Sequence, residues 1–188
     1  MGRWEPDARG RLLKAALELY AERGFEQTTV AEIAAHAGLT ERTFFRHFAD
    51  KREVLFAGAD ELKDLLVSTV AAAPAGLAAI DAAAAGIEAA GAAIQQGGEF
   101  PRVRAAIIAA SAELQERELI KLASLAAALA EELRRRGVSE PAASLTAEAS
   151  IAVFRIAFDR WVSGPARQDL PRLIRESLDA LKAVTAGR

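Results

Sequence analysis

Thr29 and Thr40 both carry the signature of a helix start, and they lie so close together that only a short helix and a turn fit between them. Thr29 is followed three residues later by Glu32. The hydroxyl can accept from the backbone N–H at position 32 while the carboxylate reaches back to the N–H of Thr29, which is a capping box. Thr40 is preceded by Leu39 and followed four residues later by Phe44, the spacing of a hydrophobic staple. Each such cap stabilises a helix by about 1 kcal/mol. Between the two starts runs Ala37-Gly38-Leu39, and Gly38 tolerates the positive φ that a tight helix-to-helix turn demands. This is helix-turn-helix spacing.

The segments on either side extend the pattern. A helix is predicted from Asp7 to Arg23, with Leu13, Ala16, Leu17 and Tyr20 on its apolar stripe and Gly24 as its stop. Asp50 and Glu53 form a third box, which predicts a helix running on to Ala73, before Pro74. Beyond Pro74, apolar residues still recur at spacings of three and four, and no stretch alternates with period two. Helices are predicted over 77–95, 101–112, 114–136, 141–162 and from Asp169 or Leu170 to Val184. The expectation is an all-α chain of about nine helices, with an N-terminal three-helix domain at 1–52 and a helical domain at 53–188.

Composition removes several function classes. The 188 residues contain no cysteine, so disulfides, thiolate zinc sites and a cysteine nucleophile are excluded. The longest alanine-rich region, 71–94, is broken by Pro74, Asp81 and Glu88, and the opening "MGRWEPDARGR" leads into no apolar segment. A soluble, cytoplasmic protein without membrane association is expected. The net charge of −2 leaves room only for a local basic surface.

Such a surface lies on the second short helix. At about 100° per residue, Phe44 and Phe48 share one side with Glu41, while Arg42, Thr43, Arg46 and His47 fall on the other. Phe45 falls at the edge of the apolar arc. A helix this short needs its aromatic face docked on its neighbours. The other face then stays free. Arginine can pair with guanine O6 and N7, and a threonine methyl can meet a thymine methyl. His47, Lys51 and the N–H groups after Thr29 suit phosphates, and Phe45 can pack on sugar. The plain alternative, a solvated polar face, is equally consistent with the spacing.

The stretch "TTVAEIAAHAGLTERTFFRHFADKREVL" resembles the N-terminal domain of tetracycline-repressor-like (TetR-family) transcription regulators. Thr28, Thr29, Ile33, Ala34, Gly38, Leu39, Thr40, Thr43, Phe44, Phe45, His47, Phe48 and Lys51 occupy the places of that family's pattern. The resemblance implies a double-stranded DNA operator of palindromic form, read by two recognition helices of a homodimer, and in most members a repressor released by a small-molecule effector. Carried over by position, Arg42, Thr43 and Arg46 would face bases; Thr29, Thr40, Phe45, His47 and Lys51 would meet the backbone. The family often has tyrosine where this chain has Phe45, so a phosphate hydrogen bond is missing there. An activator, or a regulator without a ligand, is the alternative.

In the second half, the helix over 141–162 is apolar nearly all round and so must be buried on both faces. The resemblance implies that the last two helices pair with their mates as a four-helix bundle, with Ala149, Ala152, Val153, Ile156, Ala157, Leu173 and Leu178 at the dimer interface. It also implies a ligand-binding pocket among the middle helices, with Leu62, Leu66, Ile87, Ile94, Phe100, Ile107, Ile108, Phe154 and Phe158 as lining. The segment "RVRAAIIAASAELQERELIKLASLAAALAEELRRRGV", with "FRIAFDRWVSG", is similar to an actinobacterial subgroup that includes mycofactocin-type regulators. That likeness implies an apolar or acyl-type effector, whose anionic head group Arg102 and Arg104 would meet; a solvated helix face is the alternative for both arginines. Only His36 and His47 are available as histidine, and no paired Glu-x-x-His, Gly-x-Ser-x-Gly, Walker or dinucleotide motif is present. No enzyme, cofactor or metal site is expected.

Overall fold

A computed structural model describes residues 7–165 and 167–187; most of the charged opening segment, 1–6, lies outside the described residues. The helices are α1 (Ala8–Arg23), α2 (Val30–His36), α3 (Glu41–His47), α4 (Ala59–Ala72), α5 (Ala79–Gln95), α6 (Phe100–Ala109), α7 (Ala112–Arg135), α8 (Ala142–Ser163) and α9 (Leu170–Thr185). No strand occurs among the described residues. They gather into two compact units, Met1–Gly58 with Arg102–Glu116, and Ala59–Pro101 with Arg117–Arg188.

In the first unit the local caps form as the sequence dictates. The Asp7 carboxylate accepts from the N–H of Gly10 at 2.9 Å, and α1 stops at Gly24, whose φ is 87°. The Thr29–Glu32 box closes in both directions, at 3.2 Å and 2.8 Å. Gly38 takes φ 66°; its N–H bonds to the Ala35 carbonyl and that of Leu39 to Ala34, so two of the terminal carbonyls of α2 find partners in the turn. Thr40 then caps α3 through the N–H of Thr43 at 3.2 Å. Leu12, Ala16, Leu19, Tyr20, Ile33, Ala34, Phe44 and Phe48 form the buried interior, with Leu12 taking the inward place expected of Leu13.

The helix expected to open at Asp50 begins only at Ala59. The Asp50 carboxylate does accept from the N–H groups of Arg52 and Glu53, at 2.8 Å and 3.1 Å. The chain then continues in i to i+3 turns, and Val54, Leu55 and Phe56 are all buried. Three consecutive buried side chains cannot share one face of an α-helix. Gly58, at φ 90°, ends the segment before α4 starts.

Within the second unit α5 packs against α4, α8 and α9. Its alanines and glycines permit close approach. A Cβ on Gly86 would lie 2.8 Å from Val70 Cγ2 and 3.1 Å from the Leu66 carbonyl oxygen. Leu66, Val70, Ile87, Leu129, Leu133, Phe154, Trp161, Leu170 and Ile174 fill the core around it. Arg136 donates to the carbonyls of Val70, Ala73 and Pro74 at 2.7 to 3.0 Å, capping the C-terminal end of α4 with a cation, where the helix dipole favours one.

Candidate nucleic-acid interface

The outward face of α3 is set by burying its other side. Phe44 is fully buried and Phe48 nearly so, whereas Phe45 is 55% exposed. Phe44 touches both rings, edge to face with Phe45 at 5.5 Å and tilted against Phe48 at 5.6 Å. Glu41, Arg42 and Arg46 are exposed; Thr43 and His47 are half-buried. Arg42, Thr43, Phe45 and Arg46 therefore have outward access from a helix that cannot roll, because its aromatic face is locked. An Arg46 Nη2 lies 3.5 Å from His47 Nε2, which places two candidate donors at the helix C-terminus side by side.

The flanking expected contacts divide. The Thr29 and Thr40 side chains are exposed at the N-termini of α2 and α3, but each hydroxyl already caps its own helix. Thr29 Oγ1 also donates to Glu32 at 2.8 Å. That bond, and the box itself, holds the Glu32 carboxyl below its usual range, with the backbone N–H of Thr29 as the leading cause. Lys51 is committed further. Its ammonium donates to the carbonyls of Phe25, Thr28 and Glu26 at 2.9, 3.0 and 3.4 Å, and stands 4.3 Å from the centre of the Phe25 ring. The Tyr20 hydroxyl donates to the Lys51 carbonyl at 2.6 Å, and burial, aided by the Asp50 carboxylate, pushes that phenol well above its ordinary range. Thr28, also buried, donates to the Gly24 carbonyl at 2.8 Å.

Several positioning residues carry no local sequence signal. An Arg11 guanidinium N–H donates to the Ala37 carbonyl at the turn, and His36 Nε2 lies 2.9 Å from a Glu18 carboxylate oxygen. Arg9 stands over the Phe48 ring at 5.7 Å. Arg52 bridges Asp50 and Glu113, and Arg104 donates to the Leu55 carbonyl at 2.6 Å while lying over Phe56. Apart from Asp50 with Arg52, separations of 18 to 61 residues hide these pairs from any periodicity. Arg104, expected at an effector head group, is thus held by the first unit's own backbone.

The other expected residues are also sorted by the fold. Leu66, Ile87 and Phe154 are buried in the second unit's core, and Ile94 and Phe158 pack against it; Leu62 and Phe100 are half-buried there. Ile107 and Ile108 are buried in the first unit. Of the expected dimer residues, Ile156 is exposed and Ala149 and Ala152 are half-buried on α8, while Val153, Ala157, Leu173 and Leu178 are inside the second unit's core. Among the described residues no cluster of His, Asp and Glu suits a metal ion, and no helix is long and apolar enough to cross a membrane.

A capped helix-turn-helix with a locked, outward basic face has the architecture of a DNA-binding helix-turn-helix domain. Residues 12–57 match the family described as bacterial regulatory proteins, tetR family. It is 40% identical over 68 residues to the transcriptional regulator TcmR of Streptomyces glaucescens, covering 36% of this chain and 30% of that protein. It is 45% identical over 47 residues to the transcriptional repressor KstR2 of Mycobacterium tuberculosis, covering 25% and 24%. The matched region thus spans less than a third of either relative. In fold, 94% of the chain superposes on 90% of SmeT bound to triclosan, with a TM-score of 0.68 and 22% identity; SmeT is the repressor of a multidrug efflux pump of Stenotrophomonas maltophilia. Both of these sequence relatives are transcription regulators.

Proposed function

We propose that the chain is a homodimeric, ligand-responsive repressor acting in the cytoplasm on a palindromic DNA operator. The observation that carries this reading is the division of α3, with Phe44 and Phe48 buried and Arg42, Thr43, Phe45 and Arg46 turned outward. Arg42, Thr43 and Arg46 read base edges in the major groove. Thr29, Thr40, Phe45 and His47 lie along the sugar-phosphate backbone, Phe45 by packing alone. Lys51 serves that surface indirectly, by fixing the turn between α1 and α2. The effector is a small apolar or acyl-type molecule that inserts among Leu66, Ile87, Ile94, Phe154 and Phe158 of the second unit. The repressor KstR2 and the triclosan-bound SmeT support the regulatory and ligand-binding parts of the reading.

The test is fluorescence anisotropy with DNA fragments flanking the protein's own gene. Tight, salt-sensitive binding to a palindromic fragment is expected. Arg46→Ala should cost about 1–3 kcal/mol and relax specificity at one base pair in each half-site. Unchanged binding by Arg46→Ala and Thr43→Ala to every fragment would overturn the base assignments.

A further inference from the structure

The two short helices of the motif each carry one glutamate in their first turn, and the fold uses the two differently. Glu32 is folded back into the box of α2, where it accepts from the backbone N–H and the hydroxyl of Thr29, both at 2.8 Å. Glu41 stands at the first position of α3. There the place of the returning acid is taken by Thr43, whose N–H donates to the Thr40 hydroxyl at 3.2 Å and whose own hydroxyl lies 3.1 Å from it. The cap of α3 is therefore made without Glu41. On the helix wheel Glu41 shares the arc of Phe44 and Phe48, yet its side chain is exposed, and it has no hydrogen-bond or ion-pair partner among the described residues. Arg42, exposed beside it, has none either. Consecutive helical residues point about 100° apart, so these two charges do not face each other. Four residues after Glu41, Phe45 is 55% exposed and stands on the same side of the helix.

A lone carboxylate is costly on a surface that meets DNA. It repels phosphates, and its two oxygens only accept hydrogen bonds. Guanine N7 and O6 and thymine O4 are acceptors too, so a carboxylate set against them meets its own kind. Adenine presents a donor at N6 with an acceptor at N7 beside it. Cytosine presents only the N4 donor. Glu41 thus has one unopposed partner among the four bases, and specificity comes from the repulsion as much as from the attraction. We propose that Glu41 is a specificity-determining residue and selects cytosine at one position of each operator half-site, through the N4 amino group. The inference rests on the reading of α3 as the helix that enters the major groove, where the first turn of a recognition helix meets base edges. It adds an acidic reader to the basic ones. Arg42 and Arg46 favour guanine, and Glu41 rejects guanine and thymine where it stands.

The full-length chain is tested by selection from a pool of random DNA duplexes followed by sequencing, for wild type, Glu41→Gln and Glu41→Ala. Thermal melts verify the folding of both variants, whose substituted side chain is exposed. The wild-type motif should hold cytosine at one position of each half-site. Glu41→Gln should turn that position to adenine, because an amide matches the N6 donor and the N7 acceptor together. Glu41→Ala should leave the position without preference and keep the rest of the motif. In anisotropy titrations, changing that cytosine to thymine should weaken wild-type binding about tenfold or more, and binding by Glu41→Ala less than about threefold. A motif unchanged in Glu41→Ala, or a loss of affinity equal for every sequence, overturns the assignment and leaves the carboxylate as a partner of the α3 dipole alone, while the DNA-binding reading stands. A wild type that enriches no sequence at all overturns both.

Discussion

The rings of Phe44 and Phe45 meet edge to face at 5.5 Å, yet one is fully buried and the other is 55% exposed. Adjacent in sequence and similar in chemistry, they differ in that Phe44 holds the helix in place while Phe45 is left open to a partner. Phe44→Ala should destabilise the chain by about 3–5 kcal/mol, the range for emptying a buried aromatic site. Phe45→Ala should change stability by about 0.5 kcal/mol or less and still weaken DNA binding. Denaturant melts and anisotropy titrations on both variants separate the two effects.

Lys51→Ala tests the role that the fold gives this ammonium. It removes three hydrogen bonds to carbonyls at the end of the α1–α2 connection, and a loss of about 1–3 kcal/mol is expected. The slope of log K against log salt for DNA binding should stay unchanged. A direct phosphate contact would instead lower that slope by about 1.

Asp50 makes stability depend on pH in one direction. The hydrogen bond from Arg52, assisted by the N–H groups of Glu53 and Arg52, lowers its folded-state pKa. A group whose folded pKa lies below its unfolded value contributes stability that is present above the unfolded pKa. That contribution is lost as pH falls through the folded pKa. Asp50→Asn should therefore melt at lower temperature than wild type at neutral pH. The gap should close below the ordinary carboxylate range. A gap that persists in acid would show that the side chain acts through packing alone.

Gly86→Ala opposes two effects. In an open helix alanine would be favoured by about 1 kcal/mol. Here the new methyl meets Val70 and the Leu66 carbonyl at 2.8 and 3.1 Å, and overpacking costs about 1–3 kcal/mol. Net destabilisation is expected in a denaturant melt. A more stable variant would mean that α4 and α5 separate freely.

The helix boundaries were legible because caps, glycine stops and apolar spacing are local physics. Thr29 with Glu32, Gly38 and Thr40 are read within four residues of themselves, and they form as written. The outward face of α3 followed from the same information, since burying Phe44 and Phe48 leaves Arg42 and Arg46 exposed. The segment after Asp50 was misread for the matching reason. Its box is locally sound, but Val54, Leu55 and Phe56 are all buried, and Arg104, far along the chain, holds the Leu55 carbonyl and lies over Phe56. Lys51 and Arg104 looked like free cations because their carbonyl partners lie 23 to 49 residues away. The face of α8 was equally closed to periodicity. A helix apolar all round announces that both sides are to be covered. Only tertiary packing decides that Val153 and Ala157 turn inward while Leu145 and Ile156 remain exposed, because the choice belongs to the helices packed on the inner side and not to α8 itself.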